Sequence, residues 1–153
     1  MTYSAREGRE RILLDVAEAA AALMGAQEAL GEAHEQLDDA AAGRLELELY
    51  GPVRDATKSA LAGASAFAAR VGMTFTRPAG EHHARTRGDG PREYVDAATA
   101  LVARADELLA ELQDSLLPVE VGDTELREAL AATRRTIAPL AHSALEFERT
   151  LGR

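Results

Sequence analysis

The chain has 153 residues, 17 basic and 26 acidic side chains, a formal charge of −9 and no cysteine. The acidic balance argues against a nucleic-acid partner, which needs a basic face. The lack of thiols excludes disulfides, thiolate metal sites and cysteine nucleophiles. Hydrophobic residues make up 46% of the chain but aromatic ones only 4%, and alanine is about a fifth of it. Alanine is the best helix former and gives little to a sheet core, so an all-α single domain over residues 1–153 is expected. Sixteen of the seventeen basic residues are arginine, a bias of GC-rich coding that suggests a bacterial source. The first residues carry no apolar signal core and no apolar run approaches a membrane span, so a cytoplasmic protein without a membrane partner is expected.

The first expected helix covers about 9–42, with Gly43 as its stop. Leu13, Val16, Ala20, Leu23, Gln27, Leu30, His34, Leu37 and Ala41 recur at alternating spacings of three and four, the seam of a helix packed lengthwise on others. Ile12, Ala19, Ala26, Ala33 and Ala40 form a second row beside it. Glu18, Glu28, Glu32, Glu35 and Asp39 fall on the opposite, solvated side. Gln27 and His34 interrupt the seam two turns apart.

Residues 45–50 alternate as a strand would, and 73–77 is the only segment available to pair with them. The helical reading is preferred, because it places Leu45, Leu49 and Val53 on one stripe and makes a second helix over about 44–72. In that reading Gly51-Pro52 bends the helix without ending it. Ala56, Ala60, Ala64 and Ala68 then form a smooth ladder flanked by Gly63, which invites close approach of a neighbour. Gly72 ends the helix.

The connection over 73–90 is long for a bundle and carries two turn signals. A third helix over about 91–117 starts with Gly90 as N-cap, Pro91 at its first position and Glu93 in its first turn. Tyr94, Ala98, Leu101, Ala105, Leu108 and Leu112 are its seam, with Val95, Val102, Leu109 and Leu116 alongside. A fourth helix over about 124–151 follows the N-cap Asp123, with Leu126, Leu130, Thr133, Ile137, Leu140, Ala144, Phe147 and Leu151 inward. Pro139 should kink it near Arg135. The architecture expected is an antiparallel four-helix bundle, up-down-up-down, with a long loop between helices 2 and 3.

Chemistry is sparsely signalled. No expected seam position holds a clear Asp or Glu, and Glu-x-x-His, His-x-x-x-His, a nucleophile elbow, a P-loop and a dinucleotide fingerprint are all absent. No catalytic residue, metal site or cofactor is expected. Gln27 and His34, with Tyr94 and Thr133 across the core, are the candidates for a ligand pocket, against a simpler role in fixing helix register. His82, His83, Arg85 and Arg87 make the long loop locally positive, a candidate anion- or metal-binding loop. A non-enzymatic bundle acting through protein association, most simply a homodimer, is the leading expectation. Outward Leu14, Leu47 and Met24 offer surface for it. A small-molecule or metal-binding bundle is the alternative.

Overall fold

Why each helix begins and stops is local chemistry. In a computed structural model, which describes residues 4–79 and 90–151, the first helix α1 spans Ala5–Glu35. It starts earlier than residue 9 because Ser4 is its N-cap, accepting a hydrogen bond from the Glu7 amide at 3.1 Å. It stops seven residues before Ala42. The reason is Asp38, whose side chain accepts from the Ala41 amide at 2.8 Å and starts a new helix, α2, at Asp39–Leu45. Gly43, expected as a stop, lies inside α2.

No strand forms among the described residues, 85% of which are helical. Residues 45–50 are helical as expected, but Glu46–Tyr50 is a π turn between α2 and α3, Gly51–Arg70. Pro52 has no amide hydrogen to give Glu48, and its ring would crowd that carbonyl. One extra residue in the preceding turn absorbs the problem, and the Gly51 amide reaches back five residues to the Glu46 carbonyl. The helix continues beyond it. Leu45, Leu49 and Val53 stay on one face and are all buried.

Helix α3 ends with Gly72 at φ +70. The amides of Gly72 and Met73 donate to the carbonyls of Ala69 and Ala68, the paired closure that favours glycine here. Helix α4, Pro91–Asp114, starts as the sequence implies, with the Glu93 carboxylate accepting from the Gly90 amide at 2.9 Å. It closes on Leu116, also left-handed at φ +66. A single turn, α5 (Leu117–Glu120), leads to α6, Thr124–Ile137, and α7, Leu140–Leu151. Pro139 interrupts the last rod at 138–139, a little beyond the expected bend near Arg135, and the inward row from Leu126 to Phe147 survives the break.

The helix directions correct the expected order. Arg70 at the end of α3 binds Asp123 at the start of α6, and Ser59 meets Thr133, so α3 and α6 are antiparallel. Arg104 of α4 binds Glu18 of α1, while Leu117 and Val121, just past α4, lie against Gly8 at the start of α1. Helix α4 therefore runs antiparallel to α1 and in the same direction as α3. The order is up-down-down-up, not up-down-up-down. Two consecutive parallel helices cannot be joined by a tight turn, which is why the connection over 71–90 is long: it must cross from one end to the other. Its first part, 73–79, has no regular secondary structure, and Met73 and Phe75 pack on the core.

Helix α1 sits at the centre of this packing, between α3 and α4. Ile12, Ala19, Ala26 and Ala33, expected beside the seam, are fully buried, as are Ala22 and Ala29. A straight helix drifts about 20° per heptad relative to a seven-residue repeat, so a long helix packed on two sides buries a broad, wandering face. Gln27 and His34, expected within the seam, are left at its half-exposed edge.

Candidate functional site

Gln27 at the edge of α1 faces about two turns of α3. With Arg54, Thr57, Lys58, Leu61 and Ala62 of that helix and Arg77 of the segment that follows it, it lines a groove of about 410 Å³. Arg54 and Lys58 are one turn apart, which sets both on one stripe of α3. The Thr57 hydroxyl is committed to the Val53 carbonyl at 2.8 Å and forms part of the wall. The Arg54 Nε–H is buried without a hydrogen-bond acceptor, the Asp55 carboxylate standing off at 3.6 Å. Among the described residues no acidic side chain lines this groove. On a chain of charge −9 it is a local inversion of sign.

His34 belongs elsewhere. It lines a smaller groove of about 250 Å³ with Gly31, Glu35, Glu46 and Tyr50, beside the π turn. Its Nε2 stands 3.9 Å from Glu46 Oε2. Among the described residues no group of three or more His, Asp or Glu side chains is arranged to hold a metal ion.

Thr133 is fully buried between α6 and α3, where its hydroxyl lies 2.8 Å from the Ala129 carbonyl and 3.2 Å from Ser59 Oγ. Tyr94 is a core residue near the start of α4. The four residues nominated for one pocket are thus distributed: Gln27 and His34 line different grooves, and Thr133 is satisfied inside a helix interface. His82, His83, Arg85 and Arg87 lie outside the described residues.

A different polar cluster, also at the start of α4, had no sequence signal. Glu148 of α7 is 8% exposed, and its Oε1 is buried with no hydrogen-bond donor. Arg92 donates to the Glu148 backbone carbonyl at 2.9 Å and stands 3.7 Å from Oε2. Burial, helped by a bond to and repulsion from the Asp96 carboxylate, pushes the Glu148 carboxyl up to about 7, against the pull of Arg92. Only the convergence of α4 and α7 brings these residues together.

Asp123 shows the opposite behaviour. Its carboxylate accepts two bonds from Arg70, at 2.7 and 2.9 Å, and one from the Leu126 amide at 2.8 Å. The Arg70 bond, then the amide, hold its carboxyl below the usual range. Replacing Asp123 by alanine removes a helix cap and a bidentate pair and is expected to cost about 1–2 kcal/mol near neutral pH. A group with a depressed folded pKa stabilises above its unfolded pKa, and that stability disappears as pH falls through the folded value. Chemical denaturation at pH 7 and pH 2.5 checks this: the penalty should be clear at the first and shrink at the second.

Large apolar side chains are exposed at the end formed by the start of α1 and the end of α4. Leu116 and Val119 are 56% and 62% exposed. Leu14, at 63%, edges a mainly apolar groove of about 330 Å³ with Leu13, Ala17, Met73 and Phe75. Leu47 is exposed on the π turn, whereas Met24 is half-buried. No helix among the described residues is long and apolar enough to cross a membrane. No protein-family model, curated protein or solved structure matches the chain.

Proposed function

We propose that the chain is a non-enzymatic four-helix bundle that acts by associating with a second copy of itself. The observation that carries this reading is Leu116. A leucine in the left-handed region costs about 1–2 kcal/mol, and this is the position after a helix where glycine is usual. Gly72 fills the equivalent position after α3. Leu116 is largely exposed, so its side chain recovers little of that cost inside one chain. Val119, three residues on, projects a second apolar side chain from the same turn. The groove edged by Leu14, Met73 and Phe75 lies at the same end of the molecule. A two-fold axis at that end lets each copy present its Leu116–Val119 turn to the other's groove, a closed and self-complementary contact.

Leu116→Gly separates this role from folding, because glycine relieves the backbone strain while removing the side chain. Sedimentation equilibrium should find a dimer for the native chain and a monomer for Leu116→Gly, with a melting temperature for the dilute variant equal to or above that of the native monomer. A native chain that stays monomeric at high micromolar concentration, or a Leu116→Gly variant that dimerises as well as the native chain, would overturn the proposal.

A further inference from the structure

The groove between α1 and α3 points to a second property, independent of self-association. We infer that Gln27, Arg54, Lys58 and Arg77 form a binding site for a small dianion of the phosphate-monoester kind.

The argument begins with charge pairing. The chain has more acidic than basic side chains, and many of its described arginines stand beside carboxylates: Arg6 by Glu10, Arg11 by Asp15, Arg70 by Asp123, Arg104 by Glu18, Arg134 by Asp106 and Arg149 by Glu146, with Arg54 itself 3.6 Å from Asp55. In a protein so rich in acid, three cations gathered in one groove with no carboxylate among its described lining residues run against the general pattern. Arg54 and Lys58, one turn apart on α3, repel each other mildly. Arg77 arrives from a different element and adds a third positive charge. Among the described residues, Lys58 and Arg77 have no ion-pair partner. The Arg54 Nε–H is a second observation: it is buried with no acceptor in hydrogen-bond reach, Asp55 of the neighbouring groove standing 3.6 Å away, and such a donor costs free energy while it is unsatisfied.

The chemistry of the lining selects the ligand class. Two guanidinium groups offer planar, forked donors that suit phosphate and carboxylate oxygens, and the lysine adds a point charge. Three cations favour a dianion over a monoanion. The Gln27 amide supplies a neutral donor from the opposite wall. Leu61 and Ala62 give the groove an apolar section, and about 410 Å³ exceeds what a bare phosphate needs. A phosphate monoester with a compact apolar substituent uses both parts.

Titration calorimetry with inorganic phosphate, phenyl phosphate and sodium chloride at matched ionic strength tests the site. Phenyl phosphate should bind in a one-to-one ratio and more tightly than inorganic phosphate, while chloride gives no saturable heat. Arg54→Gln and Arg77→Gln should each weaken phenyl phosphate binding by roughly tenfold, the size of one lost charge-assisted hydrogen bond. Arg77 is exposed, and Arg54 is half-exposed apart from its unsatisfied Nε, so neither variant should melt below the native chain in chloride, and a control at Arg149→Gln, at the end of α7, should bind like the native chain. Saturation that persists in the Arg54→Gln/Arg77→Gln double variant, or an equal loss in Arg149→Gln, would overturn the assignment. So would a native chain that shows no saturable phosphate binding at millimolar concentrations. Equal affinity for inorganic and phenyl phosphate would overturn the monoester class.

Discussion

Gly63→Ala is expected to destabilise the fold by about 1–2 kcal/mol, although alanine is intrinsically the better helix former by about 1 kcal/mol. The physical cause is the spacing of α3 and α6. A methyl group built on Gly63 would stand 2.7 Å from the Cβ of Ala129, closer than two such carbons can approach. Neither atom is at the end of a flexible side chain, so one helix must move. Moving α6 outward would loosen Leu126, Leu130 and the Ser59–Thr133 contact, all parts of the same interface. Overpacking of this kind costs about 1–3 kcal/mol beyond the propensity gain, and a leucine at position 63 should cost more. The decisive experiment is a double-mutant cycle. Ala129→Gly removes the opposing methyl, so the Gly63→Ala/Ala129→Gly chain carries one methyl at the contact, as the native chain does. Urea unfolding should show the Gly63→Ala penalty vanishing or reversing in the Ala129→Gly background. Additive effects would mean that α3 and α6 are not in close approach at this point.

Glu148→Gln should stabilise the protein at pH 8 by on the order of 1–3 kcal/mol. The Glu148 carboxyl titrates near 7 in the folded chain, against 4.5 for an ordinary glutamate, because it is buried beside Asp96. A raised folded pKa means that the native state holds a proton the unfolded chain has released between about pH 4.5 and 7. Stability therefore falls as pH rises through that window and stays low above it. Each pKa unit corresponds to about 1.4 kcal/mol, and Arg92 together with relaxation of the helix end keeps the effect at the lower part of the range. Glutamine preserves the shape, supplies a donor for Asp96 and cannot ionise. The comparison to make is the difference in unfolding free energy between Glu148→Gln and the native chain at pH 5 and at pH 8. It should be small at the first and clearly in favour of the variant at the second. A variant less stable than the native chain at pH 8 would show that the Arg92 pairing outweighs the burial of the charge.

Much of the helical structure is written in short-range pattern. The inward rows of α3, α6 and α7 follow the three-and-four spacing, because each side chain's direction is set by helix geometry, while in α4 the buried row shifts toward Val95, Val102 and Leu109 and leaves Leu101 and Leu108 half-buried. Gly90, Pro91, Asp123 and Gly72 mark helix ends through interactions within three or four residues, and these too were legible. The break after α1 was equally local, in Asp38, but a continuous apolar row masked it. Spacing sets Leu116 in the row alongside the seam of its helix, because it gives no sign that a residue has turned left-handed.

The candidate sites were a different matter. Gln27 was recognisable as an odd residue, but its partners Arg54, Lys58 and Arg77 come from two other elements. Glu148 and Asp96 lie 52 positions apart and are brought together only by the packing of α7 on α4. The sequence by itself determined that the chain is all-α, where most of its helices begin and end, and which face of each turns inward. Those properties depend on residues within a turn or two of one another. The direction of α4 relative to α3, the central position of α1, the cationic groove and the buried carboxyl pair were decided only by the tertiary structure. Each depends on which helices become neighbours, and amphipathic faces this rich in alanine are too alike for their pattern to choose.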